Sequence, residues 1–287
     1  MPVSVVIPAC NEEQAIAQTV LQIRQILERS VATGWEVIVL DDGSTDKTAG
    51  VAAEHGARVI RHLQTLGYGK SIKDGIQAAK HDVIAIMDAD GTYPVGQLPI
   101  LLAKFYEGYD MVIGQRTGSY YRESPIKSPL RWTLKWLVEF TAGRRIPDVN
   151  SGFRVFDRKE AMNYFNRLCD TFSFTTSLTL AYLMNNRYVA HVPIEYKERV
   201  GKSKVVLLRD SLRTLQYIVQ AILYYDPIKI FVVMSGIAVI LSCMSFAITL
   251  MFGLLSTFLL GIGGLLAAVI IFALGLLASL LQQIMNK

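Results

Sequence analysis

Short apolar runs rich in Val and Ile alternate with longer stretches of helical spacing through the first half of the chain. Val3-Ser4-Val5-Val6-Ile7-Pro8 predicts a first strand, stopped by the proline. From Glu12 to Arg29, Ile16, Val20, Ile23 and Leu27 fall on one helical stripe. Glu36 to Leu40 is a second strand and runs into Asp41-Asp42-Gly43-Ser44-Thr45-Asp46. A helix to about His55, a strand from Arg58 to Ile60 and a helix from Lys70 to Lys80 follow. Then come a strand from Asp82 to Met87, a helix from Leu98 to Tyr106 and a strand from Asp110 to Gly114, with a further strand near Ala190 to Tyr196. Such alternation predicts an α/β fold: a mostly parallel, doubly wound sheet with helices on both faces. Right-handed crossovers would bring the ends of the first, second and fourth strands to one rim.

The pattern then changes. Tyr120 to Pro129 reads as a loop, and Pro129 suits a helix start running to about Ala142. That helix carries Trp132 and Trp136 with Arg131 and Lys135 on a shared face, which fits a membrane interface ahead of the alternative, a core helix with two solvated cations. Leu207 to Tyr225 is a second amphipathic helix, apolar at Leu208, Leu212, Leu215, Val219 and Ile222 and polar at Arg209 and Arg213. Asp226-Pro227 breaks it, and from Ile230 to Asn286 no Asp, Glu, Lys or Arg occurs. Two spans are predicted, 230–252 and 254–281, each exceeding the ~20 residues a bilayer requires. Lys204, Arg209, Arg213, Lys229 and Lys287 flank them, so the positive-inside rule predicts a multi-pass protein of the cell membrane whose main domain faces the cytoplasm. Gly261, Gly263, Gly264, Ala267 and Ala268 could pack the spans together or join copies into a homo-oligomer. The expected division is a domain over 1–204, an interfacial helix over 205–227 and a hairpin over 228–287.

Composition adds little to that picture. Of the 287 residues 52% are hydrophobic, and the excess lies in the tail. The net charge of +5 is too mild to suggest nucleic acid as a partner. Cys10, Cys169 and Cys243 have no metal-ligand spacing and suit a reducing compartment, and no signal peptide is indicated.

Candidate chemistry gathers at Asp88-Ala89-Asp90, at the end of the fourth strand. Residues two apart on a strand point the same way, so the pair would form a clamp of hard oxygens suited to Mg²⁺ or Mn²⁺. Pro8 to Glu12 and Asp41-Asp42 would share the rim, where mutually repelling carboxylates call for a cation. A nucleotide diphosphate with its metal fits such a rim. Gly67-Tyr68-Gly69-Lys70-Ser71 resembles the close of a Walker A loop, but Gln64 stands where its first glycine belongs and no strand leads straight into it, which argues against a P-loop NTPase. Its glycines would either let backbone approach the donor phosphates or simply open a helix.

These segments, from Val5 to Glu13, from Val39 to Thr48 and at Asp88-Ala89-Asp90, together resemble family 2 glycosyltransferases of the GT-A, Rossmann-like fold. Val112 to Arg116, Ser151 to Arg154 and Arg199 to Lys204 extend the likeness toward the branch that glycosylates polyprenyl phosphates. The resemblance implies that Pro8, Cys10, Glu12, Asp41, Asp88, Ala89 and Asp90 bind the donor nucleotide, with Asp88 and Asp90 also holding the metal. It makes Asp90, Arg116 and Arg131 the catalytic set, the two arginines beside the lipid phosphate. Arg199 and Lys204 would belong to a cationic flap over the diphosphate. Thr92 stands where relatives commonly have a metal-contacting Gln, and Lys135 where a Ser is frequent. Many relatives carry a Glu near Thr175-Thr176, where a soluble acceptor would need a base; a lipid phosphate, already an anion, needs none.

The implied activity is transfer, with inversion, from a nucleotide-diphosphate sugar to a polyprenyl phosphate such as undecaprenyl or dolichyl phosphate. Two rivals stand beside it. One is a processive polysaccharide synthase, which would want more spans. The other is a non-catalytic sugar-nucleotide-binding scaffold subunit of a membrane assembly or flippase complex.

Overall fold

A computed structural model describes residues 2–30, 34–118, 128–197 and 207–285, without the side chains of 128–134, 207–211 and 285. Two compact units, Met1–Tyr217 and Ile218–Lys287, divide inside one helix. The first is built on a seven-stranded sheet of order β3-β2-β1-β4-β6-β5-β7. Its strands are β1 (Val3–Ala9), β2 (Trp35–Asp41), β3 (Arg58–Arg61), β4 (Val83–Ile86), β5 (Met111–Thr117), β6 (Arg154–Asp157) and β7 (Val189–Glu195). All neighbours run parallel except β6, which is antiparallel to both β4 and β5.

Alternation along β1 sends Val3, Val5 and Ile7 to one face and Val6 to the other. On the first face they meet Ile16, Val20, Ile23 and Leu27 of α1 (Ile16–Ser30) and Leu98, Leu101 and Leu102 of α4 (Leu98–Tyr106). On the second face Val6, Ile38 and Leu40 meet Ile72 and Ile76 of α3 (Tyr68–Ala78) and Phe174, Leu178 and Tyr182 of α7 (Phe174–Met184). A side chain at Gly75 would collide with Val6 and Leu40, so its lack of one lets α3 lie close on the sheet. The remaining helices of this unit are α2 (Thr48–Glu54), α5 (Ser128–Ala142) and α6 (Arg158–Met162).

Two expectations about strand ends need correction. Pro8 does not stop β1, which continues to Ala9 with Pro8 opposite Leu40. Pairing with β4 has already ended at Val6, so the missing proline N–H disturbs no ladder on that side. Conversely, β4 ends at Ile86, short of Met87. Asp88 follows the strand and Ala89-Asp90 form a turn before Gly91 at φ +73°. The two-residue strand period therefore does not govern how Asp88 and Asp90 point.

α8 (Leu207–Tyr225) is the helix that the boundary between the units divides, and the second unit continues with α9 (Pro227–Phe252) and α10 (Leu255–Met285). Gly253, left-handed at φ +65°, caps α9 by donating its N–H to Thr249. α9 and α10 pack as an antiparallel pair, with Gly261 against Phe246, Gly264 against Ser242 and Gly275 against Phe231. Hydroxyls of Ser235 and Ser245 donate across to Ala268 and Thr257 carbonyls at 2.9 and 2.7 Å, and Ser242 does so to Gly261. Gln282 donates to the Tyr224 carbonyl at 2.7 Å, which fastens the open end of the hairpin. Of the small residues expected to pack, Gly263 instead faces open space. Both helices are long and apolar enough to cross a membrane.

Candidate active site

Three loops meet at the carboxyl ends of β1, β2 and β4, the edge where open α/β sheets bind ligands. After β1, Asn11 adopts φ +50° and is stitched to the loop after β2. Its N–H donates to Ser44 Oγ at 2.9 Å, and its Oδ1 accepts from the Thr45 N–H at 2.8 Å. The Glu12 N–H donates to Thr48 Oγ1 at 2.8 Å. Cys10 and Glu12 are half-buried here, while Pro8 is buried within β1.

Asp41, at the end of β2, is wholly buried. Its Oδ1 accepts from the Ser44 N–H at 3.1 Å, and its Oδ2 lies 3.1 Å from Arg61 Nε without accepting an aligned hydrogen bond. A buried carboxylate oxygen in that condition calls for a donor. Asp42 turns the other way, accepting from His62 Nδ1 (2.9 Å) and the N–H groups of Leu66 (2.8 Å) and Gly67 (2.9 Å). His62 Nε2 in turn lies 3.2 Å from Asp74, which pairs with Lys70 at 2.6 Å. Asp42 thus anchors the 62–67 loop instead of lining the rim.

The Gly67 and Gly69 positions answer the phosphate-loop expectation. A Cβ on Gly67 would sit 2.5 Å from the Asp170 carbonyl, and one on Gly69 would strike Cys169. Lys70 donates its N–H to Asp170 at 3.0 Å, and Lys73 Nζ reaches Asp170 Oδ1 and the Leu168 carbonyl, both at 2.7 Å. These glycines serve close packing of the α3 start on the 168–170 segment, not a phosphate.

Asp88 is half-buried and Asp90 buried. Tyr68 donates its hydroxyl to Asp88 Oδ1 at 2.7 Å, and Thr92 donates to Asp90 Oδ1 through its hydroxyl (2.6 Å) and its N–H (3.2 Å). Thr92 is fully buried, so it braces Asp90 from behind, and the carbonyl of Ala89 accepts from Thr19 of α1 at 3.2 Å. Burial, reinforced by the Asp88 charge, raises the Tyr68 phenol well above its usual range, and Tyr93 is raised for the same reasons; both stay protonated.

The loop before the reversed strand β6 enters the same place. A Cβ on Gly152 would lie 2.7 to 2.9 Å from the Asp88 carboxylate. The Gly152 N–H donates to Tyr93 Oη at 2.7 Å, and buried Arg154 grips the Val149 and Ser151 carbonyls, each at 2.7 Å. Burial brings the Arg154 guanidinium down to about 10, so it is still a cation at neutral pH.

Arg116, at the end of β5, is held in a bidentate pair with buried Asp148, Nε to Oδ2 at 2.8 Å and Nη2 to Oδ1 at 2.9 Å, with Tyr196 stacked 5.6 Å away. Burial opposes ionisation of Asp148, but the Arg116 hydrogen bonds and charge outweigh it and hold the carboxyl below its ordinary range. His191 on β7 is depressed to about 4, first by burial and then by Arg154. Thr176, where a base is frequent, donates its hydroxyl to Asn150 at 2.5 Å. Arg131 lies in α5, with its side chain outside the described residues; Arg199 and Lys204 lie outside them altogether. Among the described residues no group of three or more His, Cys, Asp or Glu side chains that could hold a metal ion occurs; Asp88 and Asp90 stand at their turn as a pair.

The profile of glycosyl transferase family 2 matches residues 4–165. The chain belongs to glycosyl transferase family 2. A dolichyl-phosphate hexose transferase of Haloferax volcanii is 31% identical over 203 residues, 70% of this chain and 86% of that one. An undecaprenyl-phosphate 4-deoxy-4-formamido-L-arabinose transferase of Salmonella choleraesuis is 27% identical over 83% of this chain and 72% of its own. Among solved structures, glucosyl-3-phosphoglycerate synthase of Mycobacterium tuberculosis superposes with TM-score 0.62 at 20% identity, over 77% of this chain and 80% of that one. The same enzyme in complex with Mn²⁺, UDP and product gives 0.58 at 22% identity. At that identity the likeness establishes the fold, and this family 2 chain shares the GT-A architecture of those enzymes.

Sequence reasoning did not find Tyr68, Tyr93 or the Asp148–Arg116 pair. A tyrosine within a glycine-rich helix start carries no local sign of a carboxylate partner 20 residues later.

Proposed function

We propose that this protein transfers a sugar from a nucleotide-diphosphate sugar to a polyprenyl phosphate, with inversion at the anomeric carbon, and does so at a membrane. The observation that carries the reading is the Asp88–Asp90 turn, whose two carboxylates are each braced by a hydroxyl beside the β1 and β2 loops of a family 2 sheet. Relatives named for dolichyl and undecaprenyl phosphate support the acceptor class.

Asp88 and Asp90 would hold Mg²⁺ or Mn²⁺, which when bound offsets the charge on the departing diphosphate. Their hard oxygens suit either ion, and a solved relative by fold was crystallised with Mn²⁺ and UDP. Asp41 Oδ2, buried without an aligned donor, would accept a ring N–H from the base, while Pro8, Cys10, Glu12 and Ala89 would wall the nucleotide. Asp148 fixes the Arg116 guanidinium, and Arg116 with Arg131 would orient the lipid phosphate for in-line attack. Arg199 and Lys204 would close over the diphosphate. The acceptor is already an anion, so the buried hydroxyl of Thr176 can stand where a base would otherwise be needed. In this reading α9 and α10 anchor the enzyme as a hairpin with both ends, and the catalytic domain, on the cytoplasmic side.

The test is transfer by the detergent-purified full chain from a panel of nucleotide sugars to undecaprenyl phosphate, with and without EDTA. Transfer that needs metal, and falls by about 10²–10³ in Asp90→Asn, is expected. NMR of the product should show the opposite anomeric configuration to the donor. Metal-independent transfer, or full activity in Asp90→Asn, would refute the assignment.

A further inference from the structure

The Gly67-Tyr68-Gly69-Lys70-Ser71 stretch is the one motif that the proposed reaction leaves without a task. Packing explains its glycines, which meet Cys169 and Asp170. It does not explain the tyrosine. Tyr68 begins α3, a helix pinned to the 168–170 segment by the Lys70 N–H and by Lys73 Nζ. Its ring stacks on Phe172 with centroids 5.6 Å apart and planes at 21°, which fixes the ring. The hydroxyl then falls 2.7 Å from Asp88 Oδ1. Opposite, Gly152 crowds the same carboxylate, and its loop is itself tied to Tyr93 and Arg154.

Asp88 follows the end of β4, so no sheet hydrogen bonding sets its direction. A side chain on such a connection takes its rotamer from its neighbours, and here these include a donated phenol hydroxyl and a backbone wall. Asp90 has a local brace two residues along the chain, in Thr92. Asp88 has a remote one, carried by a different helix. Groups that orient a ligating carboxylate from outside a metal's coordination sphere strongly influence affinity.

We propose that Tyr68 is a positioning residue for Asp88: its hydroxyl sets the carboxylate in the orientation that receives the divalent cation of the donor. The proposal rests on the reading of Asp88 and Asp90 as the cation's ligands. Tyr68 touches neither donor nor metal in it and acts through Asp88 alone. The same helix start also carries Lys70, whose pairing with Asp74 leads through His62 to Asp42. The start of α3 thus braces both Asp88 and, through His62, the 62–67 loop that Asp42 anchors.

Tyr68→Phe removes the hydroxyl and keeps the stacked ring. Binding of Mn²⁺ to the full chain in detergent, with UDP present, is read by electron paramagnetic resonance of the free ion, and each variant's thermal midpoint is recorded. Tyr68→Phe should bind Mn²⁺ about 10- to 100-fold more weakly than wild type, at an unchanged midpoint. Transfer should recover toward the wild-type maximum as Mn²⁺ is raised, a KM-type defect in metal. Phe172→Leu, which loosens the stack and spares the hydroxyl, should stay within about 3-fold of wild type, well short of the brace's range. Mn²⁺ affinity in Tyr68→Phe equal to wild type, while Asp88→Asn loses it, would overturn the role of Tyr68 and leave the cation site standing. Wild-type Mn²⁺ affinity in Asp88→Asn would overturn the ligand reading, and the proposal with it.

Discussion

Replacing Gly152 by alanine places a methyl group against the Asp88 carboxylate, 2.7 Å from Oδ1 and 2.8 Å from Oδ2. Ordinary contact begins at 3.4 Å, so one partner must withdraw by about 0.7 Å. The loop is the stiffer side. Arg154 holds the carbonyls on either side of residue 150 at Val149 and Ser151, Tyr93 receives the Gly152 N–H, and Ser151 donates its hydroxyl to Gly114 at 2.6 Å. The Asp88 carboxylate is the far end of a flexible side chain beside a turn, whereas the loop presents pinned backbone, so Asp88 moves. A misplacement near 1 Å costs about 10²-fold in rate, and 0.7 Å should cost at least 10-fold. The backbone at Gly152 is not left-handed and the displaced group is a side-chain end, so alanine should leave stability within about 1 kcal/mol of wild type. The assay is sugar transfer to undecaprenyl phosphate at saturating donor across a Mn²⁺ series, beside thermal unfolding in detergent. Wild-type turnover with wild-type metal dependence would refute the reasoning. So would a loss of activity that merely tracks a loss of fold.

Other outcomes follow from the same geometry. Asp148→Ala leaves the Arg116 guanidinium without its buried partner and should destabilise by roughly 3 kcal/mol, read as a fall in the thermal midpoint. Acid should weaken the fold in two stages. His191, ordinarily near 6.5 and held at about 4, stabilises above its unfolded value, and that contribution is lost as pH falls from 6.5 toward 4. His191→Gln should flatten the midpoint's decline across that window. Asp148, depressed below its ordinary value, adds a second loss only as pH drops under the usual Asp range near ~3.9. In the hairpin, Gly261→Val collides with the Phe246 ring at 2.6 Å and should lower the thermal midpoint, whereas Ser245→Ala should cost only about 0.6 kcal/mol.

Periodicity recovered α1 through its apolar stripe, and all four stripe residues are buried. It recovered α8 and the two long apolar helices as well, because length and charge exclusion are local properties. It missed β6, whose four residues include an arginine that is buried inside the protein by three hydrogen-bonded oxygens. It also missed α7, where Phe174 to Leu183 are all buried and no polar face remains to mark a period. The acidic rim was legible because its residues sit where strands end. The bracing of that rim was not, since Tyr68 to Asp88, Gly152 to Asp88 and Asp148 to Arg116 are contacts that only the folded topology creates.

The reversal of β6 has a consequence for how this scaffold can diversify. Because one strand runs backwards between β4 and β5, its incoming loop arrives at the rim from the opposite chain direction and forms a seam there. Gly152, on that seam, abuts the Asp88 carboxylate, while Asp148 four residues earlier holds Arg116 at the end of β5. Two half-sites drawn from separate parallel runs are thus clamped by a single short insert. Segments after β5 can then change length or chemistry without disturbing the Asp88–Asp90 turn, provided the seam itself is left alone.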